Sequence, residues 1–183
     1  DAGTWFTQGP GVRDEPKSVS HETTFLDDTR DRELLDATLA KLVQLVCRRL
    51  REYGLHGRTV QLKLRYADFR TITRAKTLAQ PTQLDGVMLE TIRELFARNW
   101  NKNKAVRLLG VHIGSLGTVS GQLNWLDASR SQKWRRVLEA ADAVRDRFGE
   151  LSIGLAGAMK HGRQERVHEN PAGIPGKQKT RRP

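Results

Sequence analysis

Apolar residues recur along this chain with two distinct periods, and the switches between them mark its elements. "KSVSHETTF", residues 17–25, reads as a strand opened by a lysine. The stretch that follows sets Leu35, Leu39, Leu42, Val46, Leu50 and Tyr53 three and four apart, one apolar stripe of a helix near Asp31 to Tyr53. Acidic residues at its start, basic residues near its end and Gly54 as a stop suit the helix dipole and C-cap preferences. Asp27 and Asp28 read as capping groups of its N-terminus. "TVQLKLRY" then alternates Val60, Leu62, Leu64 and Tyr66 with Gln61, Lys63 and Arg65, a strand with one buried and one cationic face. "RTITRAKTL" is β-branched and basic and pairs with it as a hairpin, so that Lys63, Arg65, Arg70, Arg74 and Lys76 are presented together.

A second amphipathic helix opens at Pro81 with Thr82 as cap and carries Leu84, Val87, Met88, Ile92, Leu95, Phe96 and Trp100 at helical spacing. "AVRLLGVHIGSL" places Leu109, Val111 and Ile113 on one side of a fourth strand and Leu108, Gly110 and His112 on the other. The order strand, helix, strand, strand, helix, strand predicts an α+β domain: a four-stranded sheet with two helices on one face, the βαββαβ ferredoxin-like kind. Strand order stays open. From Gly114, "GSLGTVSG" reads as linker, and a third helix is expected over Ser131–Phe148 with Trp134, Leu138, Ala141, Val144 and Phe148 as its apolar stripe. The expected organisation is a tether over 1–16, a folded domain over 17–117, a peptide over 118–128, the third helix with a short apolar segment over 129–159, and a disordered basic tail over 160–183.

Charge narrows the function. Lys and Arg number 32 against 21 Asp and Glu, a net +11, and the last seven residues hold only four of those cations. The surplus lies in the folded part, which makes a polyanion, and nucleic acid first, the expected partner. The plain alternative is a soluble basic protein. Cys47 is the single cysteine, so no internal disulfide forms, and a reducing cytoplasmic compartment is expected. No apolar run reaches the roughly 18 residues of a membrane span, and no secretory signal pattern opens the chain.

Catalytic chemistry is not written here. Paired carboxylates, nucleophile-base pairs and metal clusters are absent from the pattern, and His21, His56, His112, His161 and His168 lack ligand spacing, so neither catalytic nor metal residues are assigned. The predicted sheet face supplies Lys, Arg, Thr and Ser, donors that meet phosphate oxygens. Its ordinary alternative is a solvated polar face.

Four stretches together, "KSVSHETTF", "VQLKLRYADFRTITRAKTL", "VRLLGVHIGSL" and "QLNWLD" before a basic helix ending "RDRFG", resemble the C-terminal little finger region of Y-family DNA polymerases of the polymerase IV type. The resemblance covers about residues 16–150. It implies a sheet whose open face lies in the major groove of primer-template duplex DNA, in a bacterial cytoplasm at the nucleoid, as part of translesion synthesis. By resemblance the DNA contacts are Lys17, Ser18, His21 and Thr24 on the first strand, Thr73, Arg74 and Lys76 in the hairpin, and Arg107 and His112 on the last. His21 stands where relatives can have arginine, and Leu108 departs from a second arginine. "QLNWLD" resembles the family's sliding-clamp peptide, with Gln122, Leu123, Trp125 and Leu126 in its slots and the aromatic and aliphatic order reversed; the competing reading packs Leu123, Trp125 and Leu126 on the third helix. The family's palm, with the carboxylates that hold Mg2+ for nucleotidyl transfer, has no match here, so the chain carries no cofactor of its own and reads as a fragment that starts at the tether.

Two other functions fit less well. One is the same domain in a catalytically inactive Y-family relative that works as a mutagenesis adaptor. The other is an independent RNA-binding module, which stacks bases on sheet aromatics. The strands offer only Phe25, Tyr66 and Phe69, and Tyr66 and Phe69 are expected inside.

Overall fold

The computed structural model describes residues 16–118, 125–149, 152–154 and 166–170. The chain runs β1 (Ser18–Thr29), α1 (Arg32–Glu52), β2 (His56–Tyr66), β3 (Thr71–Thr82), α2 (Asp85–Asn99), β4 (Val106–Gly117), α3 (Trp125–Phe148) and β5 (Arg166–Asn170). The sheet order is β3-β2-β4-β1-β5, antiparallel throughout. The α+β reading therefore holds, and the strand order left open is settled with β2 and β4 side by side, joining the two strand-helix-strand halves.

Local chemistry explains the elements. α1 starts where the Asp31 carboxylate accepts from the amides of Glu33 (2.9 Å) and Leu34 (3.3 Å), satisfying two orphan donors of the first turn. It stops at Gly54, whose φ of +65° a side chain would disfavour. Asp27 and Asp28 are not the caps: β1 runs on through them to Thr29. Thr82 likewise ends β3 rather than capping α2, although its hydroxyl accepts from the Leu84 amide at 3.1 Å. The "GSLG" half of the expected linker is the end of β4, and Arg166–Asn170, expected within a disordered tail, pair with β1 as Ser20–Thr24.

The core lies between one sheet face and α1 with α2. Leu35, Leu39, Leu42, Val46 and Leu50 of α1 and Met88 and Ile92 of α2 are fully buried. They meet Val60, Leu62 and Leu64 of β2 and Leu109, Val111 and Ile113 of β4 in one cluster. Each such side chain contributes about 1.5–3 kcal/mol of burial, so this layer dominates the domain's stability.

α3 departs from the expected stripe. It begins at Trp125 rather than Ser131, and Trp134, Val144 and Phe148 are exposed. The helix docks through charge: Asp142 takes the Arg51 guanidinium at 2.6 Å and Asp146 takes Arg48 at 2.6 Å. Arg51 also reaches Asp85 at the start of α2 (2.5 Å) and the Gln83 carbonyl (3.2 Å). Arg145, itself buried, closes the cluster on Asp142 at 2.7 Å.

A candidate nucleic-acid interface on the open sheet face

Directly opposed residues of neighbouring strands share a face, so the register defines the side of the sheet that α1 and α2 leave uncovered. Across β3, β2, β4 and β1 its rows read Thr77-Thr59-Gly114-Ser18, Ala75-Gln61-His112-Ser20, Thr73-Lys63-Gly110-Glu22 and Thr71-Arg65-Leu108-Thr24. Hydroxyl groups dominate, with Gln61 and two cations at the centre.

One row sets the charge. Lys63 spans β4 to reach Glu22, its Nζ 2.8 and 2.9 Å from the carboxylate oxygens. Gly110 lies between them, and a Cβ there would stand 2.9 Å from Glu22 Cγ and 3.3 Å from Lys63 Cβ. The missing side chain is what lets the pair close over the middle strand. Arg65 donates to the Thr71 hydroxyl at 2.9 Å. Burial lowers the His112 imidazole below the ordinary histidine value, with Glu22 opposing that shift, so His112 is neutral at pH 7. The face is thus milder than +11 suggests, and Glu22 holds down one of its two central cations. For a face that meets duplex DNA, replacing Glu22 with Gln is expected to raise affinity and steepen its salt dependence by up to about one unit of logarithmic slope, because Lys63 becomes available to a phosphate. An unchanged slope in a salt titration of E22Q would show that Lys63 meets no phosphate.

The contact residues expected from the sequence divide between the two faces. Ser18, Thr24, Thr73 and His112 stand on the open rows, and Lys17 is exposed just before them. His21 does not: it sits opposite Val111, is 3% exposed and faces the helices. Arg74 and Lys76 are also on the helix side, opposite Leu62 and Val60. Arg74 donates to Asn99 Oδ1 (3.1 Å) and Lys76 to Glu94 of α2 (2.5 Å). The hairpin thus does not present them with Lys63 and Arg65 on one surface. Ile72 and Leu78 share their parity and pack against the core, and that parity was the signal that could have placed them. Arg107 lies at the register shift between β4 and β2, paired with Asp28 at 3.2 Å. Gln122 and Leu123 lie outside the described residues, and Trp125 and Leu126 fall in the first turn of α3.

Among the described residues, no group of three or more His, Cys, Asp or Glu side chains could hold a metal ion, and no helix is long and apolar enough to cross a membrane. Cys47 is buried in the core, which pushes its thiol well above the ordinary value; it is no nucleophile.

An α+β domain with one sheet face shielded by two helices and the other polar is what the geometry defines. Residues 16–124 match the model of the impB/mucB/samB family C-terminal domain. The chain belongs to that family, as its C-terminal domain, in agreement with the resemblance to the little finger of Y-family polymerases. It is 36% identical over 140 residues to DNA polymerase IV of Dehalococcoides mccartyi, covering 76% of this chain and 35% of that protein. With DNA polymerase IV of Caulobacter vibrioides it shares 36% over 144 residues, covering 79% and 36%. The chain therefore spans about a third of the length of these curated relatives. A solved complex of a beta-clamp processivity factor and the little finger domain of PolIV aligns at 22% identity and a TM-score of 0.46, over 58% of this chain and 93% of that one.

Proposed function

We propose that this domain holds primer-template duplex DNA for a Y-family translesion polymerase, through phosphate contacts made by the open sheet face. The observation that carries the reading is that face itself, in a chain of this family: rows of hydroxyls around Lys63, Arg65 and Gln61, left uncovered by both helices. Ser18, Thr24 and Thr73 donate to phosphate oxygens, with Lys17 and Arg107 at the margins and His112 as a neutral donor. Such contacts position a duplex without reading its sequence. The nucleotidyl transfer, with its Mg2+, belongs to the palm of the parent enzyme, and no step of it is assigned to residues of this chain.

The same domain docks on a sliding clamp through Gln122, Leu123, Trp125 and Leu126. The support is the sequence "QLNWLD", which offers apolar anchors of the type a clamp pocket takes.

A salt titration of the chain against labelled primer-template duplexes of unrelated sequence, with and without a clamp, tests both parts. Salt-sensitive, sequence-tolerant binding supports the first; absence of binding at low salt refutes it. Replacing Trp125 and Leu126 with alanine should abolish clamp binding and leave duplex affinity intact. Retained clamp binding in that variant refutes the second.

A further inference from the structure

The turn between β2 and β3 carries a side chain that neither folding nor the duplex contacts explain. Phe69 adopts φ +61°, left-handed backbone that glycine or asparagine takes readily and a bulky aromatic does not. The turn around it is well tied: Phe69 N–H donates to the Tyr66 carbonyl at 3.0 Å, and Tyr66 N–H to the Arg70 carbonyl at 3.0 Å. Against the expectation that its ring is needed inside, Phe69 is 65% exposed. The ring therefore contributes little to the core and sits where glycine would relieve the backbone.

What the ring does have is an orienting partner. The Arg107 guanidinium carbon stands 4.6 Å from the ring centroid, and Arg107 Nε donates to Asp28 Oδ1 at 3.2 Å. Arg65 and Thr71, the last row of the open face, adjoin the turn, and Arg70 beside Phe69 is exposed. An exposed aromatic steadied by a guanidinium, at the end of a phosphate-binding surface and among further arginines, has the composition of a stacking platform for a base, with cations for the flanking phosphates.

We propose that Phe69, steadied by Arg107, stacks an unpaired nucleobase of the single strand that continues beyond the duplex held on the sheet face. This rests on the duplex-holding reading and extends it from paired to unpaired DNA. The stacking takes any base, because every base presents a π face.

The test compares a primer-template duplex carrying a single-stranded template extension with the same duplex made blunt, and places 5-iodouracil in the extension for photo-crosslinking. The parent chain is expected to bind the extended duplex about tenfold more tightly than the blunt one, and to crosslink at Phe69. Phe69→Gly, which relaxes the turn, should unfold no earlier than the parent on heating yet lose both the preference and the crosslink. Phe69→Trp should keep them. If the parent binds both duplexes equally, or F69G keeps the preference, the platform is refuted while duplex holding stands. If the parent binds neither duplex, the duplex-holding reading fails and the platform with it.

Discussion

Alanine at both Lys63 and Arg65 is expected to weaken duplex binding by about tenfold per cation, taking ~1.5 kcal/mol for a hydrogen bond to a charged group. The logarithmic salt slope should become shallower by about one to two units, about one for Arg65 and the remainder set by how far Lys63 leaves Glu22 for a phosphate. Lys63 has a second effect: without it, Glu22 stays on the face as an uncompensated negative charge, because the two are paired across Gly110. The loss should be similar for unrelated sequences, since phosphate contacts carry no sequence information. Alanine at Arg74 and Lys76 is the informative contrast. Both are held on the other side of the sheet, by Asn99 and Glu94, and reach the duplex only through a field that salt screens over about 8–10 Å. Their removal should cost a small fraction of the first loss. Should the Arg74 and Lys76 pair cost more, the interface would lie along the sheet edge and the assignment of the open face would be wrong.

Arg51→Met should destabilise the domain by about 3–5 kcal/mol, the range for breaking one side of a buried ion pair. Arg51 is 5% exposed at its side chain and Asp85 is 4% exposed. Burial pushes the Asp85 carboxyl up, and the Arg51 guanidinium opposes that shift. Burial alone would lower the Arg51 value, yet its hydrogen bond to Asp142 and the charge of Asp85 raise it above the ordinary arginine value. Without the guanidinium, Asp85 loses its 2.5 Å partner and α3 loses its 2.6 Å anchor at Asp142. The loss should be read as a lowered urea midpoint. Arg93→Ala serves as the control: its pair with Asp36 is 45% and 38% exposed, and exposed pairs are worth about 0–1 kcal/mol. Equal effects of the two substitutions would mean that water already screens the Arg51 cluster.

Where neighbouring residues in the chain decide an element, the sequence was legible. The stripe of α1 and the alternation of β2 were readable because 3.6- and 2-residue periods are local properties, and both placed the core side correctly except at Tyr53, which is exposed at the C-cap of α1. Edge strand β3 was harder. Its basic residues drew attention, but their side is set by the register that puts Arg74 opposite Leu62. On an edge, cations can sit on the helix side because α2 leaves room for them to stay exposed. His21 misled for a related reason: a polar residue on the core parity of β1 looks like a surface residue until its partner Val111 is known. In α3 the apolar stripe was real in spacing, but the surface offered to it by α1 carries Arg48 and Arg51, so α3 meets α1 through Asp142, largely covered, and Asp146, still exposed.

By itself the sequence determined the α+β class, the two helices that seal one sheet face, the family likeness and the excess of positive charge, because periodicity, composition and motif order are properties of the chain. Only the tertiary structure decided which cations share a surface, that Glu22 neutralises Lys63 across Gly110, that α3 docks by ion pairs, and that Phe69 is displayed rather than buried. Those outcomes depend on register and on the chemistry of the facing element, and both arise only when segments far apart in the chain are brought together.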